Sequence, residues 1–379
     1  MNTKEIGEIR RRQRRDRSNM THLYGCYVND NQEIISEFVQ SVGIMPENEA
    51  EKYFALLRRS LGGTLGKNLI EITFSTAQVA GSEEHKLLMD LRATKLKEAE
   101  TRMAFYQKVM ENLNLDTSYV ILLGCDSYDV PFKSRDDAFQ ADNSDENFTY
   151  ILCAICPVKQ TKPALSYFLT ENEFHTRMAD WVVSAPDLGF LFPAYEEHSA
   201  NIYKAMFFTR DSADAHEAFV ENIFGSELPM PAAEQQETFQ SVLQEALEDE
   251  CSLAVVQAVH ETVRTRLEEQ KADKTAEPLK LTKQDVKEVL ESCGVSMERA
   301  QVFEEKYNEA FGEYTEIPAV NVVAPKQFNV STPSVSIKVA PDRSDLIETR
   351  MIDGKCYILV LADGDVEVNG VNVKFKQED

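Results

Sequence analysis

YVILLGC, residues Tyr119–Cys125, and FTYILCAIC, residues Phe148–Cys156, are apolar at nearly every position and have the length of a strand. A strand with one wet face alternates apolar and polar side chains, whereas a continuous apolar run has both faces covered. These two runs, with LGFLFPAY (Leu188–Tyr195), therefore predict central strands of a sheet with helices on both sides. Ala164–Thr170 and Ile202–Thr209 read as further strands. Leu69–Phe74 sets Ile70, Ile72 and Phe74 against Glu71 and Thr73, the alternation of a half-buried strand. His22–Val28 and Glu33–Phe38 flank the polar turn Asn29-Asp30-Asn31 and read as a strand pair.

The covering helices carry their own periodicity. Pro46 opens one whose apolar residues Ala50, Tyr53, Phe54, Leu57 and Leu61 keep helical spacing, and Gly62-Gly63 end it. A single long helix is predicted from Glu83 to Leu113, with Leu96, Ala99, Met103, Tyr106, Met110 and Leu113 stepping by threes and fours. Lys133–Asn147 reads as a polar, Asp-rich loop between two of the strands.

Beyond Arg210 the composition shifts. No Lys or Arg occurs before Arg264, and Ala213–Phe224, Ala232–Leu247 and Leu253–Glu269 read as helices, the last burying Leu253, Val256, His260, Val263 and Leu267. After a polar linker, Thr282 with Asp285 has the form of a capping box, and a second helix runs from Ser296 to Phe311, stopped by Gly312. The tail returns to strand patterns, with Asp353-Gly354 and Asp363-Gly364 as turns. The expected class is α+β. It comprises a basic arm over 1–20, a mixed-sheet α/β domain over 21–210, an acidic helical segment over 211–312 and a small antiparallel β module over 313–379.

GCYV (Gly25–Val28), GTLGKN (Gly63–Asn68), YILCAICPVK (Tyr150–Lys159), FLFPA (Phe190–Ala194) and VNGV around Asn369 together resemble a bacterial family described only as a domain of unknown function. The resemblance covers nearly the whole chain. It implies a bacterial cytoplasmic protein and brings no activity, cofactor or catalytic residue to carry over.

The 379 residues are 43% hydrophobic, enough for sizeable cores. No apolar run reaches the roughly 20 residues of a membrane helix, and no apolar stretch follows the basic start to make an export signal. Seven scattered cysteines fit free thiols in a reducing cytoplasm better than a disulfide framework. The formal net charge of -24 restricts any nucleic-acid contact to a local patch.

That patch is Arg10–Arg17 (RRRQRRDR), where Arg10, Arg11, Arg12, Arg14, Arg15 and Arg17 crowd together at the head of an acidic chain. Three readings stand: binding RNA or DNA, docking on acidic helices of the same chain or of a second copy, and a solvated tail. Asp126 and Asp129, after the strand ending at Cys125, form the best candidate for catalytic acids or metal ligands, and His198 stands near another strand end.

Other motifs read as structure. Gly62–Asn68 lacks the glycine spacing, the Ser or Thr, and the helix of a P-loop, so its glycines turn the chain. Cys153 and Cys156 lie inside a strand, which sends them to opposite faces and makes them core thiols rather than a redox pair. Lys159 and Lys162 read as surface lysines, His260 as a core histidine and Trp181 as a packing anchor. The helices around Gly294 form a packing hairpin, because the second carries Glu298, Glu304, Glu305 and Glu309 where a recognition helix needs cations. The leading expectation is a non-catalytic cytoplasmic interaction protein using the arginine arm and the acidic helices. Its rivals are a metal-dependent hydrolase built on Asp126 and Asp129, and an RNA- or ribosome-associated factor.

Overall fold

The computed structural model describes every residue except 131, 134–138, 141–146, 215, 229, 274–276, 324–326, 363, 365, 369–370 and 374–379. Most of the Lys133–Asn147 loop therefore lies outside the described residues, as do Asp363 and Asn369. The chain divides into two compact units, 1–234 with 273–278 and 235–272 with 279–379.

The first unit runs α1 (Thr3–Arg12), β1 (His22–Val28), β2 (Ile34–Ser41), α2 (Glu47–Arg59), β3 (Leu69–Thr73), α3 (Thr76–Gly81), α4 (Glu83–Ala93), α5 (Ala99–Asn112) and β4 (Tyr119–Asp129). It continues with β5 (Asn147–Gln160), β6 (Trp181–Val183), β7 (Leu188–Phe192), β8 (Lys204–Thr209) and α6 (Glu217–Phe224). The sheet order is β2-β1-β4-β5-β7-β8-β3, with β6 paired to the far end of β5. Every one of these pairs is antiparallel. The α+β class is as expected, and within it the sheet is antiparallel rather than mixed. Continuous apolar runs are usual in parallel sheets, but they follow from two covered faces, whatever the strand direction.

Both faces are covered. On one, Ile121, Leu123, Ile151, Cys153, Phe190 and Phe207 meet α4, α5 and α6. On the other, Leu122, Tyr150, Leu152, Cys156 and Met206 meet Ile6 and Ile9 of α1 and Ala50, Phe54 and Leu57 of α2. The strand alternation thus puts the two cysteines of C-x-x-C on opposite faces, both fully buried, as the sequence predicts. Each large side chain buried this way contributes about 1.5–3 kcal/mol.

The long helix predicted from Glu83 to Leu113 is two. It breaks at Thr94–Glu98, where Lys95 (φ 51°) and Leu96 (φ 62°) turn left-handed. Leu96 is driven fully into the core, and the Arg102 guanidinium caps its carbonyl at 2.7 Å. Tertiary burial therefore overrides the helical period. Trp181 is also corrected: it stands 59% exposed on β6 instead of anchoring the core.

The second unit contains most of α7 (Ala232–Leu247), then α8 (Leu253–Ala272), α9 (Lys283–Ser292) and α10 (Met297–Phe311). The Thr282–Asp285 capping box forms as read. In α8 Val263 and Leu267 are buried as expected, but in its first half the buried stripe is Val255 and Val259, one residue round from the expected Val256 and His260, and Val256 is exposed. Carboxylates of the acidic stretch meet the cations of α10: Arg299 reaches Glu248 at 2.6 Å and Lys306 reaches Glu245 at 2.7 Å. Lys283 and Lys287 of α9 both pair with Glu304, so α9 and α10 are a packing hairpin. His260 meets the Phe328 ring edge-on. Three hairpins close the unit, Phe328–Ser331 with Ser336–Val339, Ile347–Ile352 with Lys355–Val360 around Asp353-Gly354, and Val366–Val368 with Val371–Val373.

Candidate functional site

The arginine arm lies down. Asn2 caps α1 in a capping box with Glu5, and Ile6 and Ile9, three residues apart, bury against the sheet. That anchoring fixes where each arginine points. Arg12 turns inward and its Nε donates to Asp126 Oδ2 at 3.2 Å, with the Asp126 side chain completely buried and Arg12 16% exposed. The guanidinium also sits 4.3 Å over the Tyr128 ring. Burial works against the Arg12 charge, yet the adjacent Asp126 carboxylate overcomes it and holds the group above its ordinary range. Arg10, Arg11, Arg14 and Arg17 stay exposed, while Arg15 is half-buried, donating from its backbone to Glu51 and from its side chain to the Gly43 carbonyl.

Asp126 is saturated. Besides Arg12 it accepts from the Asn19 amide at 2.8 Å, the Ser127 amide at 2.9 Å and the Tyr150 hydroxyl at 2.9 Å. Tyr150 in turn accepts from the buried Gln13 amide group at 2.8 Å, which closes the C-terminal end of α1. Such a carboxylate anchors a helix; it has no oxygen left over for a substrate or a metal.

The network continues along α1. Tyr128 donates to Glu8 at 2.6 Å, Tyr195 lies 3.3 Å from the same carboxylate, and the Tyr195 hydroxyl is 3.1 Å from His198 Nδ1. Burial pushes the hydroxyls of Tyr128, Tyr150 and Tyr195 upward, and the neighbouring carboxylates Glu8 and Asp126 add to it, so all three remain protonated near neutrality. His198 sits in the left-handed turn Glu197–His198 of the short hairpin Ala194–Glu196 with Ser199–Asn201. Asp126 and His198 are thus joined through Arg12, Tyr128, Glu8 and Tyr195. Asp129 is not brought in: it lies at the end of β4 and accepts from Asn147 at 3.0 Å. Among the described residues no three His, Cys, Asp or Glu side chains gather as a metal site.

A second cluster lies beneath β3 and β8. Lys204 bridges Glu71 at 3.0 Å and Glu196 at 2.8 Å, and the Met1 ammonium reaches the same two carboxylates.

The unspent chemistry is apolar. Beyond the main sheet, β5 continues as a ribbon: Ala164–Phe168 pairs with Glu173–Arg177 in the register already set by Val158 opposite Val183. On one ribbon face Leu165 opposes Thr176 and Tyr167 opposes Phe174, whose rings lie 5.0 Å apart. Leu165 is 71% and Phe174 65% exposed, and Leu169 at the tip 87%. At the ribbon's root, Trp181 and Val183 form one wall of a groove of about 400 Å³ completed by Tyr27, Phe38, Tyr53, Leu56, Val120, Leu122 and Val158. Phe38 lies across Gly25, where a Cβ would come within 2.1 Å of its ring. None of Asp126, Asp129, His198 or the arginines lines this groove. Lys159 and Lys162 stand exposed at the root of the ribbon.

A family model described as a domain of unknown function, DUF4317, matches residues 1–371. The chain belongs to that family. No curated protein and no solved structure matches it. Among the described residues no helix is long and apolar enough to cross a membrane.

The sequence reading missed the ribbon and groove. A-L-S-Y-F-L reads as a strand, but only the tertiary structure shows that its apolar face stays exposed among the described residues. Of the tyrosines that bind α1, Tyr150 and Tyr195 were hidden within apolar runs.

Proposed function

We propose that this DUF4317 protein is a non-catalytic assembly protein of the bacterial cytoplasm, and that it binds a protein partner through the apolar ribbon 161–180 and the groove at its root. One observation carries the reading: a two-stranded ribbon, marginal in water by itself, exposes Leu165, Tyr167, Phe174 and Met178, uncovered among the described residues. Exposed aromatic and aliphatic anchors beside an uncharged groove are the composition of an interface core. The reading moves the contact surface away from the arginine arm and the acidic helices. Arg12 is committed to Asp126, and Glu245 and Glu248 to Lys306 and Arg299.

The test compares the full chain with Leu165→Asp/Phe174→Asp by cross-linking and mass spectrometry in extract of the source cell. Cross-links to a protein must map to the ribbon or groove and vanish in the variant. Unchanged cross-links in the variant refute the reading.

The four exposed arginines, Arg10, Arg11, Arg14 and Arg17, support a second reading, contact with RNA. It requires retention on RNA that falls steeply with salt and is lost when these four are replaced by Gln. The hydrolase reading draws no support from the site, since Asp126 is saturated and Asp129 is turned elsewhere.

A further inference from the structure

We infer that the partner is a second copy of this chain, the two copies laying their ribbons into each other's grooves about a two-fold axis; this rests on the ribbon being the contact surface. The ribbon cannot serve its own groove. Trp181 and Val183 are the groove wall, so the ribbon leaves from the rim. Phe174 lies seven residues further out, about 23 Å along a strand. The register runs unbroken from Val158–Val183 to Phe168–Glu173, with no bulge to fold the ribbon back, and Leu165 and Phe174 toward its far end stand 71% and 65% exposed. Groove and ribbon are therefore complementary surfaces on one chain that only two chains can bring together, which is the condition for a closed symmetric dimer.

Charge points the same way. Two copies of a chain at -24 repel, and they can touch only where charge is sparse. Every residue lining the groove is uncharged. Across 161–180 the cations Lys162 and Arg177 nearly offset Glu171, Glu173 and Asp180. An anionic membrane or nucleic acid, by contrast, finds no attraction of charge at such a surface.

The area suffices. From Thr161 opposite Asp180 to Phe168 opposite Glu173 the ribbon has eight residues per strand, so it is about 26 Å long and about 10 Å wide and presents roughly 260 Å² per face. Laid against a matching surface, twice over, it removes about 1,000 Å² from water, at the lower bound for a specific interface. The free edges of the ribbon add backbone groups able to pair with the other copy.

Sedimentation of the purified full chain between about 1 and 100 µM tests this. The wild type is expected at twice the monomer mass. Leu165→Asp/Phe174→Asp, at exposed sites outside the core, weakens self-association at least about 30-fold. Tyr53→Glu on α2 does the same from the groove side, and Val183→Asp, at a residue 42% exposed, serves as a second groove variant. Mixing the ribbon variant with a groove variant leaves one intact ribbon–groove contact per pair, so a hybrid dimer forms at least about tenfold more tightly than either variant alone. A wild type that stays monomeric overturns the inference, as do variants that dimerise normally, a mixture that yields no hybrid, or a monomer that instead binds phosphatidylcholine vesicles. If the wild type is monomeric while extract cross-links still map to the ribbon, only the second copy falls. If those cross-links survive in the ribbon variant, the broader reading falls too.

Discussion

Replacing Arg12 by Met removes the charge that faces Asp126 and keeps most of the side chain's bulk. Breaking one half of a buried ion pair costs about 3–5 kcal/mol, because the other charge stays buried without its partner. Two features set the lower end here. Asp126 keeps the Asn19, Ser127 and Tyr150 donors, and Arg12 is not fully withdrawn from water. The expected loss is therefore about 3 kcal/mol, of which the cation over Tyr128 accounts for about 0.5–1. For a domain of this size that is roughly 6–12 °C in Tm. The arginine run supplies its own local assay. Arg10 and Arg11 lie within α1, and trypsin can cut after them only when the helix opens. If the pair holds α1 down, Arg12→Met raises that cleavage rate by roughly a hundredfold in the regime where opening is fast. Asp126→Asn acts in the same direction, and the double variant separates the pair from its surroundings. A coupling of about 2 kcal/mol between the two positions is expected. A single-variant loss under about 1 kcal/mol, or coupling near zero, would falsify the claim that this pair fixes α1.

Three further outcomes follow from burial and charge. Under native conditions a thiol reagent labels Cys293 and Cys356 rapidly while Cys26, Cys153 and Cys156 resist, since burial pushes the Cys26 and Cys156 thiols up to about 12; fast labelling of Cys156 would mean that the sheet face under α2 is open. Gly189→Ala places a Cβ 2.3 Å from the Cys153 carbonyl oxygen, backbone that cannot swing aside, and should destabilise the first unit by about 1–3 kcal/mol in urea, against no change if the strands can part. Burial pushes Glu196 up, but Lys204, Asn201 and the Met1 ammonium outweigh it and hold the carboxyl at about 2. A carboxylate depressed in the folded state contributes stability above its unfolded pKa and loses it as pH falls. Stability should thus decline between about pH 4.5 and pH 2 by about 1–2 kcal/mol after solvent screening, and Lys204→Met should flatten that limb.

What the sequence made legible was coded by local patterns. The apolar runs gave the central strands, the Thr282–Asp285 spacing gave a helix start and Asp353-Gly354 gave a hairpin, because each is decided by residues within a few positions of one another. The break at Lys95 and Leu96 carries no such mark. Neither residue favours a left-handed backbone, and the conformation is imposed by burying Leu96 and capping its carbonyl with Arg102. Trp181 failed for the complementary reason. An apolar residue on a strand signals burial only if something lies opposite, and what lies opposite the ribbon is set by topology. Asp126 and His198 fall in one network, yet their connection runs through Glu8 and Arg12, more than a hundred positions away from Asp126 along the chain.

The arginine run shows how one local composition yields two kinds of residue. At 100° per residue, Ile6, Ile9 and Arg12 follow one another by threes and fall on the stripe that faces the sheet. Arg10 and Arg11 are rotated off that stripe, Arg14 lies past the helix end, and all three remain in water. Arg12 interacts with a fully buried carboxylate, where salt screens little, whereas the exposed arginines interact over distances comparable with the Debye length. The two sets must therefore part experimentally. Raising ionic strength from low to physiological values should leave the Arg12–Asp126 coupling almost intact while abolishing attraction of polyanions to the outer set. Arg12→Met should do the reverse, loosening α1 without first removing the cations that a polyanion would meet. A helix whose stability and whose RNA retention fell together with salt would contradict this division of a single basic segment into an internal counter-ion and an external patch.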